Sequence, residues 1–176
     1  REQQDLAQSV FQHLHEGLLI ADAELRVLDV NPAYTQILGG TREELLGSVP
    51  SLLRPATPDP LVRQQRLLMW SSLRSAGRWR GEVVERRRSG EACTLQATIS
   101  TVSAADGKVQ YHVLVISDIT EQRQQRDRLE RQAHFDELTR LPNRARLMQM
   151  LAEAMTVADA DGHLLTVCYL DLDRFK

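Results

Sequence analysis

Cys93-Thr94-Leu95-Gln96-Ala97-Thr98-Ile99 alternates apolar and polar side chains without a break. That alternation marks a strand with one buried and one wetter face. Residues 79–88 precede it, separated by Ser89-Gly90, and residues 109–118 follow it beyond Asp106-Gly107. Both dipeptides are tight-turn chemistry, so the region from 79 to 118 reads as three antiparallel strands joined in sequence.

Working back from this meander, residues 17–21 read as a strand, Asp22-Ala23-Glu24 as a turn and residues 25–30 as its hairpin partner. Asn31-Pro32 then starts a helix, because Asn caps well and Pro is tolerated at the first helical position. Gly39-Gly40 closes it. Thr41-Arg42-Glu43-Glu44 has capping-box spacing, and Gly47 ends that short helix. Pro50, Pro55, Pro58 and Pro60 exclude continuous regular structure, whereas residues 61–76 fit one helix ended by Gly77, with Leu68 to Trp70 turned toward a core or pocket. Two strands, several helices and three more strands predict an α+β domain: a five-stranded antiparallel sheet with helices over one face.

The flanks differ in character. Residues 1–16 carry Leu6, Val10 and Leu14 at helical spacing and predict a short amphipathic helix. Residues 121–133 contain neither Gly nor Pro and are almost wholly polar. Their seam of Gln122, Arg126, Leu129 and Ala133 has coiled-coil spacing but only two apolar members, which predicts a conditional dimer helix. From 134 onward the composition changes again. Residues 136–144 read as a turn, 145–156 as a helix, 159–162 as a loop and 164–170 as an apolar strand running into Asp171-Leu172-Asp173. With no partner strand in the chain, residues 134–176 read as the opening of an unfinished α/β domain. The predicted division is thus 1–16, 17–120, 121–133 and 134–176, and the chain reads as a piece of a longer protein.

Composition narrows the function. Hydrophobic residues make up 42% and charged residues 26%, as in an ordinary folded protein, and a formal charge of -2 supplies no basic field for nucleic acid. Apolar runs fall well short of the ~20 residues that span a bilayer, so no membrane contact by this chain is expected. Cys93 and Cys168 are far apart and read as buried, reduced thiols of a cytoplasmic protein. No Ser-His-Asp or Cys-His arrangement is present, and Asp136 with Arg144 reads as a local ion pair fixing a turn. Asp171 is the one metal candidate by pattern, a hard-oxygen ligand at the C-terminal edge of an apolar strand, against the alternative of a solubilising loop carboxylate. Asp173 reads as structural. Lys176 reads as a phosphate contact or a solvated lysine.

Asn31-Pro-Ala-Tyr34, Thr41-Arg-Glu-Glu-Leu-Leu-Gly47, Arg78-Trp-Arg-Gly-Glu82, Arg86-Arg-Arg-Ser-Gly-Glu91 and Ile116-Ser-Asp-Ile-Thr-Glu121 together resemble a bacterial PAS sensory domain over the first 120 residues. The resemblance implies a pocket between the sheet and the long helix, and coupling through Asp118-Ile119-Thr120 to a downstream helix. Asp136-Glu-Leu-Thr-Arg-Leu-Pro-Asn-Arg144 and Leu170-Asp-Leu-Asp-Arg-Phe-Lys176 resemble the start of a diguanylate cyclase domain of the GGDEF type. This second resemblance implies Mg2+ at Asp171 and a substrate phosphate at Lys176 in the intact protein.

Trp70 and Trp79 are nine residues apart, and Glu85 follows six later, a spacing similar to the Trp, Trp and Asn of flavin-binding PAS domains. FAD, another small ligand and no tightly held ligand are the three readings, with Trp70, Trp79, Glu85 and Asn31 as the pocket candidates. Asn31 also reads as a helix cap. His13, His15, His112, His134 and His163 all lie outside the helices that carry a haem ligand in such domains, and neither cysteine stands where photoactive flavin domains need one. The resemblances imply a sensory region controlling synthesis of cyclic di-GMP from two GTP molecules, working as a homodimer. The alternatives are regulation of a degenerate, GTP-sensing domain coupled to a cyclic di-GMP phosphodiesterase, and a ligand-free dimerisation module. The 176 residues alone are expected to have no cyclase activity.

Overall fold

β1 (Gly17–Asp22), β2 (Val27–Val30), β3 (Arg78–Arg86), β4 (Ala92–Ser103) and β5 (Val109–Asp118) form one antiparallel sheet in the order β2-β1-β5-β4-β3. The computed structural model describes residues 2–54 and 59–170. Register across the middle is continuous, with Leu19 opposite Leu114 and Leu114 opposite Ile99. The alternation in β4 puts Cys93, Leu95, Ala97 and Ile99 on one face, which is fully buried with Leu19, Ala21, Leu114 and Ile116 of the neighbouring strands. Burying each leucine and isoleucine of this set supplies roughly 1.5–3 kcal/mol, and such burial is the main force holding the sheet against its cover.

That cover is helical. α1 (Glu2–His13) precedes β1, and α2 (Pro32–Leu38) and α3 (Arg42–Leu45) follow β2. Asn31 caps α2, while Thr41 and Glu44 complete the capping box of α3. A 3-10 turn at Ser51–Leu53 inserts Leu52 and Leu53 into the core. α4 (Pro60–Ala76) begins at Asp59, whose carboxylate accepts from the Leu61 and Val62 amides, and ends at left-handed Gly77. It buries Met69 and Leu73 and packs Trp70 against the core, but Leu67 and Leu68 are each 64% exposed. Successive helical residues point about 100° apart, so the Leu68 to Trp70 cluster cannot all face inward.

The hairpin between β1 and β2 is wider than its predicted turn. Asp22 accepts hydrogen bonds from the Glu24 and Arg26 amides, Leu25 takes a φ of 68°, and pairing resumes only at Val27. On α1, Leu6 and Val10 stay exposed.

Contacts divide the chain into two units, residues 1–123 and 124–176, with α5 (Thr120–His134) beginning in the first. In the second unit α6 (Arg144–Asp161) continues through residues expected to form a loop and ends at left-handed Gly162. Residues 164–170 are not a strand, which corrects the sequence reading. Leu164 and Leu170 are 98% and 94% exposed, and an isolated apolar run has no ladder to satisfy its backbone. Cys168 is exposed rather than buried for the same reason, whereas Cys93 is buried as expected. Among the described residues, no helix is long and apolar enough to cross a membrane.

Candidate functional site

The inner face of β3 carries Trp79, Gly81, Val83 and Glu85, because alternate residues of a strand share a face. Opposite it, α4 contributes Arg66, Met69 and Trp70. Trp79 lies across Gly81 so closely that a Cβ there would come within 2.5 Å of the indole. Trp70 meets His112 of β5 edge to face, with ring centroids 5.9 Å apart, and its buried Nε1–H has no hydrogen-bond partner among the described residues. His112 Nδ1 lies 3.1 Å from the Thr101 hydroxyl. Burial lowers the His112 pKa, with the Asp22 carboxylate opposing it, so the neutral ring is favoured.

Glu85 is already engaged. Its Oε1 accepts from Arg66 Nη2 at 3.1 Å and its Oε2 from the Ser51 hydroxyl at 2.9 Å. Arg66 Nη1 also donates to the carbonyls of Ser51 and of Arg54, the latter at 2.9 Å. Burial pulls the Arg66 pKa down against the attraction of Glu85, and burial with that same carboxylate pushes the Tyr34 phenol up. Each oxygen of the Glu85 carboxylate thus already accepts one hydrogen bond from protein. Asn31 is likewise occupied: its Oδ1 accepts from the Leu18 amide at 2.8 Å and the Tyr34 amide at 3.0 Å, and its Nδ2 donates to the Glu16 carbonyl at 2.9 Å.

A second cluster fastens the start of α5. Asp118 Oδ1 accepts from the Thr120 amide at 3.0 Å and the Thr120 hydroxyl at 2.6 Å. The Thr120 oxygen accepts from the Thr94 amide at 2.9 Å, and the Ile119 amide donates to the Thr94 carbonyl at 2.9 Å. Arg87 Nη2 holds Asp118 Oδ2 at 2.5 Å, while its Nη1 reaches the Ile37 carbonyl at the end of α2. Burial works to raise the Asp118 carboxyl, but the bonds from Thr120 and Arg87 outweigh it and hold it below the usual carboxylate range. Strand, helix and exit thus meet at one charge-assisted node. The exit residues were legible in the sequence, but Arg87 was not. Three consecutive arginines give no sign of which one turns toward Asp118.

In the second unit, Asp136 accepts from the Thr139 amide and hydroxyl, both at 2.8 Å, and closes the turn without Arg144. The expected Asp136–Arg144 pair does not form among the described residues. Two donors only three residues along the chain, the Thr139 amide and hydroxyl, satisfy the carboxylate first. Asn143 caps α6 through the Arg146 amide and donates to the Ala133 carbonyl, tying α5 to α6. Asp171, Asp173 and Lys176 lie outside the described residues. Among the described residues, no group of three or more His, Cys, Asp or Glu side chains is placed to hold a metal ion.

Comparison with known proteins places both parts. The PAS fold family model matches residues 11–124, and the model described as diguanylate cyclase, GGDEF domain, matches residues 133–176. The probable diguanylate cyclase DgcE of Escherichia coli is 30% identical over 165 residues, covering 92% of this chain and 14% of that protein. The cyclic di-GMP phosphodiesterase PdeB of Shewanella oneidensis is 25% identical over 181 residues, covering 99% of this chain and 19% of the relative. The chain therefore spans less than a fifth of the length of either. Among solved structures, a PAS domain from Colwellia psychrerythraea superposes with a TM-score of 0.58 at 14% identity, covering 67% of this chain and 98% of the other. An RNA-binding light-oxygen-voltage receptor gives 0.62 at 20% identity, covering 74% and 37%. At those identities the likeness is one of fold.

Proposed function

The chain belongs to the PAS family, with the opening of a GGDEF domain behind it, and we propose that it is the sensory and coupling region of a protein that makes cyclic di-GMP. The observation that carries this reading is the node at Asp118, where the sheet, α2 and the first turn of α5 are held by one set of hydrogen bonds. A change in the packed interior reaches α5 through those bonds, and α5 leads into the output domain. Residues 17–120 are the sensor, 121–133 the linker and 134–176 the start of the output in this scheme. In the intact protein, Mg2+ at Asp171 would neutralise triphosphate charge during phosphoryl transfer between two GTP molecules, with Lys176 on a phosphate. Two half-sites require a homodimer, and the exposed Leu6, Val10 and Leu129 are apolar positions available to its helices. A cytoplasmic location suits GTP as substrate.

A second reading has its own support. The likeness to PdeB favours a GGDEF domain that senses GTP and regulates a cyclic di-GMP phosphodiesterase. Assaying the full-length parent with GTP and magnesium, and separately with cyclic di-GMP, decides between them. Synthesis that Asp171→Asn abolishes and Thr120→Val deregulates supports the first reading; hydrolysis without synthesis supports the second.

For the interior, the Trp70 Nε1–H, without a partner among the described residues, favours a small molecule bearing a hydrogen-bond acceptor over a flavin, whose polar edge would compete with Arg66 and Ser51 for Glu85. Mass spectrometry of the denatured, purified chain tests this. Recovery of stoichiometric FAD or FMN would overturn it.

A further inference from the structure

We propose that Glu82 couples helix α4 to helix α5 and sets the direction in which α5 leaves the sensory unit. This rests on the reading of α5 as the output helix. Glu82 lies on β3, the edge strand, so a carbonyl on its free side has no neighbouring strand to pair with. Gln65 of α4 takes that position, donating Nε2–H to the Glu82 carbonyl at 2.7 Å. The Glu82 side chain faces the other way in function: its Oε2 accepts from Arg123 Nε at 2.9 Å and from Arg123 Nη2. One residue therefore holds α4 through its backbone and α5 through its carboxylate.

The placement of Arg123 gives the contact its meaning. The node at Asp118 and Thr120 fixes where α5 begins, and a helix held at one point can still pivot. Arg123 lies three residues on, a rise of about 4.5 Å, close to one full turn. Attachment at both points fixes the axis and the rotation of the helix together. Side-chain exposures of 43% for Arg123 and 39% for Glu82 make this a solvent-screened ion pair. Such pairs add little to global stability. Its effect is positional, and it is weak enough to open and close while the sheet stays folded.

Hydrogen exchange across α5 in the 176-residue chain tests the proposal. Glu82→Gln and Arg123→Gln should each speed exchange several-fold in the two turns after Thr120, with the denaturation midpoint almost unchanged. The charge-swapped pair Glu82→Arg with Arg123→Glu should restore protection. Gln65→Ala should speed exchange in α5 of the wild-type chain but add nothing in the Arg123→Gln background. Unchanged exchange in both single variants, or a full Gln65 effect without Arg123, would overturn the coupling role. If α5 exchange responds as stated while cyclic di-GMP output of the matching full-length variants does not, the coupling stands and the reading of α5 as the output helix fails instead.

Discussion

Arg66 of α4 and Glu85 of β3 meet at 3.1 Å, each side chain only 10% exposed. The Ser51 hydroxyl donates to the carboxylate, and the Ser51 and Arg54 carbonyls accept from the guanidinium. The pair locks α4, the edge strand and the turn at Ser51–Leu53 together.

Taking two charges out of water is costly, and removing only one leaves the other without compensation. Glu85→Ala should therefore destabilise the fold by about 3 kcal/mol. Replacing both partners with apolar residues of similar size, Arg66→Met with Glu85→Leu, should return stability to near the wild-type value or above it. Urea denaturation of the three chains measures this. A single variant as stable as wild type would mean that the pair is solvated.

Trp79 lies over Gly81 on the same face of β3, and the absence of a side chain at Gly81 is what admits the ring. Gly81→Ala puts a Cβ 2.5 Å from Trp79 Cζ2, inside any tolerable contact. The indole must rotate, at a cost of about 1–3 kcal/mol for overpacking. Tryptophan emission should shift to longer wavelength as Trp79 moves toward water. The Trp70→Phe background isolates that signal. An unshifted spectrum would place the ring elsewhere.

The sheet was readable because its rule is local. Alternation in residues 93–99 and the turn dipeptides on either side fix strand identity, face and connection without reference to distant residues. Caps were readable for the same reason: Asn31 and Thr41 each cap a helix through an amide three positions away. The Arg66–Glu85 and Arg87–Asp118 pairs join residues 19 and 31 apart, and charged side chains carry no mark of their partner. Glu85 was thus picked out by spacing from two tryptophans, while Arg66, which occupies it, went unnoticed. The apolar run at 164–170 shows the opposite failure. A strand pattern is only a disposition to pair, and no described segment pairs with it.

The Asp118 node makes the exit sensitive to acid. Thr120 and Arg87 hold the folded-state pKa of Asp118 below its value in the unfolded chain, against the effect of burial. Such a carboxylate stabilises the fold above its unfolded pKa of about 3.9, and that contribution is lost as the pH falls through the depressed folded value. Comparing wild type with Asp118→Asn cancels the other carboxylates. The stability difference should be constant above about pH 5 and shrink below about pH 4, where the unfolded chain takes up the proton first. A difference independent of pH would show that Asp118 is not held ionised by the node.

Asn31 distinguishes a ligand contact from a structural cap. It is fully buried, and three of its hydrogen bonds go to backbone groups on the segments that enter β1 and open α2. In Asn31→Ala, α2 loses its cap, at about 1 kcal/mol. The Leu18 amide loses its side-chain acceptor, and an unsatisfied buried donor costs about 1–3 kcal/mol more. The Asn31 amide itself still pairs with the Leu18 carbonyl, so the edge of the sheet should remain closed and the damage should stay near β1 and α2. Stability of the purified, ligand-stripped chain should therefore fall by about 2–4 kcal/mol, the sum of those two losses. Adding a small molecule should raise the stability of the variant and of wild type by equal amounts, because Asn31 has no part in holding it. A variant as stable as wild type when stripped, but weaker in binding, would reverse the assignment and place Asn31 at the ligand.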